Sequence, residues 1–263
     1  MAGSALTQVA LARESPEWFA AIPSTAEEWE ERATLIRSSL LGESWLTALA
    51  PAFGFGTVAS DRLEQAAASG FVVTAGQQPG LFGGPLYTWW KALSALAVAD
   101  RLQVLTGLPV APIFWAATDD SDFAESAVTT VATAEGAERI EMPVPAGGSI
   151  ALARMRLGDV SAQLQQVARA AGSASDSAVL DSVRNAYREE ATIGGAYVSI
   201  LRAHLEPMGI SVLDAAHESV RIAAHPLLIR ALEKSKAIDS ALTDRSRSLE
   251  DAGFPAQVNI VGG

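Results

Sequence analysis

The chain has 263 residues and no cysteine, so disulfides, thiolate zinc sites, iron–sulfur clusters and cysteine nucleophiles are excluded from its own chemistry. Acidic residues number 30 and basic residues 19, which gives a formal net charge of −11 at pH 7. Because that charge repels nucleic-acid phosphates and anionic lipid surfaces, we predict neither nucleic acid nor a membrane as a partner.

The sequence also contains no pattern typical of a secretion signal, a membrane span or a histidine-based metal site. Residues 1–16 have neither a basic lead nor a sustained apolar stretch, and no apolar run approaches the roughly 20 residues of a membrane span. We therefore expect a cytoplasmic protein. The histidines follow no metal-ligand spacing, so we predict no metal site built on His204, His217 and His225.

Helices open the chain, and a strand follows them. Residues 25–49 come after the capping residue Ser24 and have apolar residues at helical spacing, which predicts a helix with a break at Gly42. A second helix is predicted over residues 60–68. Residues 71–75, Phe-Val-Val-Thr-Ala, are a short continuous apolar run that is typical of a buried parallel strand.

Glycines follow this strand, and then come a helix and a second strand. We predict the helix from Pro85 to about Leu105 and the strand over residues 109–116. Strand, glycine-rich turn, helix and strand in this order are typical of a right-handed crossover unit. The sequence therefore predicts an α/β fold with a parallel sheet.

Beyond Glu125 the pattern becomes mixed. Short strands are predicted over residues 127–133 and 139–143, bounded by Gly136 and by a loop at residues 145–149.

The rest of the chain is mostly helical in pattern, from residue 158 to residue 249. An apolar run at residues 210–213 predicts a third buried strand, with Asp214 at its carboxyl end, and residues 254–263 predict a terminal strand. We divide the chain into amino-terminal helices with the first half of the core, a mainly helical insert, and a return to the core: residues 1–142, 143–205 and 206–263.

The first candidate site is the turn before the long helix, within residues 74–91. Its glycines let the backbone adopt positive φ and bring its amides close to a ligand: Gly76, Gly80, Gly83 and Gly84. The free amides and the dipole of the following helix favour a bound carboxylate or phosphate. Side chains that offer hydrogen bonds or a positive charge are Gln77, Gln78, Tyr87, Thr88 and Lys91. The alternative is a purely structural turn whose helix packs its apolar side inward.

The second candidate site follows the strand at residues 109–116. Four carboxylates lie within seven positions: Asp119, Asp120, Asp122 and Glu125. Because like charges this close repel one another, a substrate ammonium group or Mg²⁺ would compensate them. Asp120 or Asp122 is a candidate base for an amine, with Ser121 orienting the substrate. The alternative is an acidic helix start with Asp119 or Asp120 as its cap.

Two more residues are predicted at the same edge of the sheet. Trp115 is a candidate aromatic wall, with packing in the core as the alternative. Asp214 ends the third strand, and open α/β sheets bind ligands at the carboxyl ends of their strands, although a turn or cap role is the alternative. We therefore predict that the glycine turn and the carboxylates open into a shared cleft.

The segments GQQPGLFGGPLYTWWK and FWAATDDSDFAE, at residues 76–91 and 114–125, resemble the paired signatures of the bacillithiol-synthesis cysteine-adding enzymes, the BshC family. The segments at residues 209–215 and 252–260 look like further family strands, so the resemblance covers essentially the whole chain. It implies a Rossmann-like core with a helical insert. It also implies a homodimer formed through a carboxyl-terminal coiled coil, which we expect this chain to lack.

The resemblance implies a ligase that joins cysteine to the amino group of glucosaminyl-malate. On this hypothesis the malate carboxylates lie on Gly83, Gly84, the helix start and Lys91, while the aspartates receive the ammonium group and help to deprotonate it. The cofactor stays open, with ATP or ADP and Mg²⁺ as candidates, and Gly76 and Gly80 are the residues expected to contact it.

Two features depart from the family pattern. Ser121 stands where the family usually has a histidine. The resemblance also implies members roughly twice as long as these 263 residues, so we expect the remaining core strands to be missing here. These departures leave open an alternative function, that of a truncated or degenerate protein that binds the small molecule without catalysis.

Overall fold

The computed structural model describes residues 4–12, 18–39, 45–54, 57–143, 150–174 and 177–258. The helices are α1 (Ala5–Ala12), α2 (Ala26–Ser39), α3 (Trp45–Leu49), α4 (Val58–Ser69), α5 (Leu86–Thr106), α6 (Phe123–Ser126), α7 (Ser161–Ala171), α8 (Ala178–Ala186), α9 (Ile193–Leu205), α10 (Glu218–Glu233) and α11 (Ser235–Asp251). The strands are β1 (Phe71–Gln77), β2 (Val110–Ala116), β3 (Val128–Thr133), β4 (Gly136–Glu141) and β5 (Ser211–Asp214). Gly42 and the predicted loop at residues 145–149 lie outside the described residues.

Strands β1, β2 and β5 form a parallel sheet in the order β1-β2-β5. All three were predicted from short apolar runs, and the structure confirms them. The central strand β2 buries every residue except Trp115, as expected for a strand that is covered on both faces. Helix α5 connects β1 to the parallel β2, so the predicted strand–helix–strand unit is present.

Helices cover both faces of this sheet. On one face, α5 and α9 pack against Phe114 of β2 and Val212 of β5. On the other face, Leu63 of α4 packs against Ile113 and Leu213. The two layers bury the apolar runs that predicted the strands, and they leave the carboxyl ends of the strands at one edge.

The short strands β3 and β4 form an antiparallel hairpin that is separate from the sheet. Ile140 of β4 is fully buried in a cluster that also contains Leu152 and Ile193. Leu81, from the glycine-rich turn after β1, belongs to the same cluster. The hairpin therefore packs beside that turn, which the sequence did not predict.

Two compact units divide the chain. Residues 26–222 form the unit that contains the sheet, the hairpin and helices α2–α9. The other unit comprises residues 1–25 and 223–263, and in it the ring of Trp18 contacts Phe254 and the guanidinium of Arg245. Within the described ranges, no helix combines the length and the apolar character needed to cross a bilayer.

The helical pattern predicted after residue 158 is confirmed by helices α7–α11, with β5 as the predicted interruption. Of the predicted terminal strand, residues 254–258 form no strand, and the remainder lies outside the described residues. The boundaries proposed at residues 142 and 205 stay predictions.

Candidate functional site

The carboxyl ends of the three parallel strands form one row. Gln77 of β1 is paired with Ala116 of β2, which is paired with Asp214 of β5. Backbone hydrogen bonds continue past the strands, since Ala117 N donates to Gln77 O at 3.1 Å and Ala215 N donates to Ala116 O at 3.0 Å. The glycine-rich turn, the acidic segment and Asp214 therefore all start from the same edge of the sheet.

The glycine-rich turn has a tight left-handed backbone. Phe82, Gly83 and Gly84 have φ angles of 56°, 96° and 80°, and only glycine adopts such angles without steric strain. A Cβ on Gly80 would lie 2.5 Å from the Cα of Gly84, so the turn closes on itself too tightly for a side chain there. The backbone conformation of the turn therefore requires these glycines whether or not a ligand binds.

Tyr187 fastens this turn from a distant part of the sequence. Its hydroxyl donates to Gly80 O at 3.2 Å and accepts from Gly83 N at 3.2 Å. Burial raises the pKa of Tyr187 well above its ordinary value, so the hydroxyl stays protonated and keeps its role as a donor. Gly83 N also donates to Gly80 O, and Gly84 N donates to Leu81 O. The two amides predicted to bind a ligand thus have acceptors within the protein.

Polar side chains at the end of β1 form a network. The buried Gln77 donates through Nε2 to Gln78 Oε1 at 2.8 Å and to the Tyr87 hydroxyl at 3.1 Å. Lys91 donates through Nζ to Gln77 Oε1 at 2.6 Å and to Gly76 O at 3.3 Å. The Lys91 ammonium also lies 5.3 Å from the ring centre of Tyr87. The structure thus brings together four of the predicted side chains.

Two other predicted residues, Thr88 and Gly76, pack against neighbouring protein atoms. Thr88 is fully buried on α5, and its hydroxyl faces Gly84, where a Cβ would lie 2.9 Å away. Gly76 lies so close to its neighbouring strand that a Cβ would be 2.9 Å from the Cβ of Trp115. Because Gly76 carries no side chain, Trp115 fits beside it, and this tryptophan stays 40% exposed at the sheet edge.

The acidic segment uses its carboxylates to hold its own backbone. Asp120 Oδ1 accepts from Ser121 N at 2.6 Å and from Asp122 N at 3.0 Å. Asp122 Oδ1 accepts from Glu125 N at 3.0 Å and caps α6, so the cap is Asp122 rather than Asp119 or Asp120. Asp119, Ser121 and Asp122 are exposed. Because water screens the exposed carboxylates, Asp119 and Asp122 do not need a bound cation to compensate their charge.

Asp214 has a different environment. Its Oδ1 accepts a short hydrogen bond from the hydroxyl of Thr118, and Ala216 N donates to it at 3.2 Å. Thr118 is fully buried, and its hydroxyl also accepts from Ala216 N at 3.0 Å. This arrangement joins the end of β5 to the start of the acidic segment.

A cleft of about 450 Å³ lies between the glycine-rich turn and the β3–β4 hairpin. The turn and the start of α5 supply one wall, including Gln78, Gly80, Gly84 and Tyr87. Residues of α6, β3 and β4 supply the other wall, and its charged members are Glu125 and Arg139. The turn and the acidic segment thus share a cleft through Glu125, whereas Asp119, Asp120 and Asp122 do not line it.

Lys91 lines a neighbouring groove of about 390 Å³ that shares Tyr87 with the cleft and includes the exposed Trp90. The positive side chain in the cleft itself is Arg139, whose Nε lies 3.3 Å from Glu141 Oε2. Across the residues that the structure describes, no group of three or more His, Cys, Asp or Glu side chains is arranged to hold a metal ion.

Sequence reasoning missed four residues of this site. Thr118 directly follows the apolar strand, so its position at the sheet edge was a usable signal. Glu125 was noted for its charge but was not assigned to the site. Arg139 and Tyr187 gave no local signal, because their importance arises from the packing of the hairpin and of α8 beside the turn.

Comparisons with known proteins agree with this fold. The family model described as "Bacillithiol biosynthesis BshC, N-terminal Rossmann-like domain" matches residues 13–261. A protein of Solibacter usitatus is 35% identical over 196 residues, which are 72% of this chain and 36% of the relative. A protein of Koribacter versatilis is 31% identical over 200 residues, covering 75% and 37% of the two chains. Both are named "Putative cysteine ligase BshC".

The matched regions contain the glycine-rich turn, the acidic segment and β5, since the family model extends over nearly the whole chain. The chain spans little more than a third of the length of these curated relatives. The parallel sheet with helices on both faces is the Rossmann-like core expected from the sequence. The chain therefore belongs to the BshC family of bacillithiol biosynthesis, of which it carries the amino-terminal Rossmann-like domain.

Proposed function

We propose that this domain binds glucosaminyl-malate for a ligase that joins cysteine to the amino group of that molecule. The observation that carries this proposal is the cleft between the glycine-rich turn and the β3–β4 hairpin. Its volume of about 450 Å³ suits a small molecule, and it contains one acidic and one basic side chain. A ligand with carboxylates at one end and an ammonium group at the other matches those charges.

The carboxylates of the ligand are assigned to the start of α5 and to Arg139. The first backbone amides of a helix have no acceptor within that helix, and its dipole favours an anion there. Arg139, on the opposite wall, offers a guanidinium that matches the geometry of a carboxylate. Gly83 and Gly84 shape the turn, and Lys91 holds the polar network of Gln77 and Tyr87 beside it.

The amino group is assigned to the acidic edge of the sheet. Glu125 lines the cleft. Asp120 and Asp122, which follow β2, and Asp214, the last residue of β5, lie at the same edge of the sheet but do not line the cleft. An ammonium group must lose a proton before its nitrogen can attack a carbon atom, and Asp120 and Asp122 are the candidate acceptors of that proton. Ser121, exposed between them, is the candidate for orienting the ligand.

Joining the cysteine carboxyl carbon to this nitrogen releases one carboxyl oxygen of cysteine. A nucleoside triphosphate is the class of co-reactant that removes such an oxygen by making it part of a leaving group. The experiment therefore includes ATP as a separate arm.

The test uses the purified chain with glucosaminyl-malate and, as a matched control, glucosyl-malate, in which a hydroxyl replaces the amino group. We expect glucosaminyl-malate to stabilise the chain, by about 2.7 kcal/mol when the ligand is present at 100 times its Kd. Mass spectrometry after addition of cysteine, with and without ATP, detects the condensed thiol.

Stabilisation without product would support the alternative, a domain that binds the molecule without catalysis. If glucosaminyl-malate neither stabilises the chain nor is converted, the proposed function is wrong.

A further inference from the structure

Four polar side chains near the end of β1 are joined by hydrogen bonds that run from Lys91 through Gln77 to Gln78 and Tyr87. Gln78 and Tyr87 line the cleft. Lys91 lines the neighbouring groove, and the buried Gln77 connects it to both of them. The Lys91 ammonium is therefore linked to the wall of the cleft by a neutral amide.

The ammonium of Lys91 determines how the Gln77 amide is oriented. An ammonium group only donates, so the Gln77 atom that lies 2.6 Å from Nζ must be the accepting Oε1. The two hydrogens of Gln77 Nε2 then go to Gln78 Oε1 at 2.8 Å and to the Tyr87 hydroxyl oxygen at 3.1 Å. Because Gln77 is only 7% exposed, turning this amide over would leave buried donors facing donors and acceptors facing acceptors.

This orientation decides which hydrogens remain for a ligand. The Tyr87 oxygen accepts from Gln77, so the hydroxyl proton of Tyr87 is left to donate. Gln78 Oε1 accepts from Gln77 as well, so the two hydrogens of Gln78 Nε2 are also left. Among the described residues, neither group donates to a protein acceptor. Both side chains thus offer donors in the cleft, beside the start of α5.

We propose that Lys91 acts through Gln77 as a positioning residue for these donors. Tyr87 and Gln78 carry the donors and bind a malate carboxylate of the ligand. This inference rests on the proposed function, because the carboxylate is that of glucosaminyl-malate. A carboxylate only accepts hydrogen bonds, and its bonds are stronger than those of a neutral acceptor. Donors that are already oriented lose little freedom when the ligand binds.

The test is a double-mutant cycle of Tyr87→Phe and Gln77→Glu, measured by calorimetric titration with glucosaminyl-malate. Y87F removes a donor, and we expect it to weaken binding about tenfold or more, the size of a lost hydrogen bond to a charged group. In Q77E one carboxylate oxygen still pairs with Lys91, and the other accepts the Tyr87 proton, which no longer reaches the ligand. Adding Y87F to Q77E should therefore change the affinity less than about twofold.

The matched control for the added charge is Gln65→Glu, because Gln65 is exposed on α4 and does not line the cleft. We expect Q65E to bind glucosaminyl-malate like the unaltered chain, with the full effect of Y87F in that background. If Q77E fails to fold, Lys91→Met replaces it in the cycle. Without the ammonium the Gln77 amide can turn and accept the Tyr87 proton, so Y87F should weaken binding less than it does in the unaltered chain.

An equal effect of Y87F with and without the substitution of Gln77 or Lys91 would overturn the inference, because the Tyr87 proton would then not depend on either residue. Unchanged binding by Y87F alone would overturn it as well. Failure of the unaltered chain to bind glucosaminyl-malate would overturn the proposed function, and this inference with it, before any variant is compared.

Discussion

At the scale of single residues, the carboxylates of the acidic segment combine a backbone role with a charge. Asp122 caps the four-residue helix α6 through a 3.0 Å hydrogen bond from Glu125 N. Asp120 holds two amides of the same segment in a similar way. Asparagine keeps the accepting oxygen of such a side chain and removes its charge, whereas alanine removes both. Substitutions of Asp122 can therefore separate the cap from the charge.

We expect Asp122→Ala to lower the free energy of unfolding by about 1 kcal/mol, the usual cost of losing an N-cap, and Asp122→Asn to keep the original stability. Urea unfolding of the two variants measures this difference. If the carboxylate also takes part in proton transfer, D122N lowers turnover at unchanged stability. Equal stability of all three proteins would show that the cap contributes nothing to the fold.

At the scale of elements, the glycine-rich turn depends on a residue 104 positions further along the chain. The Tyr187 hydroxyl connects Gly80 and Gly83, and its ring packs against Phe82 with a centroid distance of 4.8 Å. Phe82 has a left-handed φ of 56°, a strained conformation for a residue with a side chain. The contacts of Tyr187 thus help to hold a backbone shape that the turn would not keep alone.

We expect Tyr187→Phe to lower the free energy of unfolding by about 1–3 kcal/mol, because the buried hydroxyl makes two hydrogen bonds and each contributes about 0.5–1.5 kcal/mol. Hydrogen exchange should also become faster at the amides of Gly83 and Gly84. The matched control is Tyr87→Phe, which removes a hydroxyl from a tyrosine that is 46% exposed. Equal losses in both variants would contradict the special role of Tyr187.

The elements near the sheet were predictable, because hydrophobic runs and turn residues are local signals. The runs at Phe71, Val110 and Ser211 are the observed strands, and the glycines before Pro85 mark the observed turn. The fold class predicted that the residues at the strand ends lie close together, because parallel strands have their carboxyl ends at the same edge of the sheet. The glycine turn, the acidic segment and Asp214 were therefore found together.

Long-range packing accounts for what the sequence did not predict. Neither Arg139 nor Tyr187 stands in a pattern that reveals its partner, since the β3–β4 hairpin and α8 reach the turn only through the folded core. The cap of α6 was placed two or three residues too early, because several closely spaced aspartates satisfy the same capping rule. Local sequence patterns therefore predicted the residues at the strand ends, whereas the residues on the opposite side of the cleft depend on the tertiary fold.

At the scale of the whole molecule, the ion pair of Arg202 and the buried Glu206 contacts a segment of the sheet-containing unit that lies about 150 residues earlier in the chain. Glu206 is only 6% exposed, and Arg202 Nε lies 3.6 Å from its Oε1. Arg202 also donates to Ala52 O at 2.7 Å, and a Cβ on Gly54 would collide with the Glu206 carboxylate. Burial raises the pKa of Glu206 above its ordinary value, and the attraction of Arg202 only partly opposes this effect.

A raised pKa in the folded state means that ionised Glu206 is less favourable there than in the unfolded chain. The stability that this carboxyl contributes is present below its ordinary pKa of 4.5 and is lost as the pH rises through the raised value. We therefore expect Glu206→Gln to stabilise the protein near pH 7, and this gain to vanish as the pH falls towards 4.5. Thermal unfolding across this pH range measures the gain, with the exposed Glu135→Gln as the control. A loss of stability in E206Q at neutral pH would show that pairing with Arg202 outweighs the cost of burying the charge.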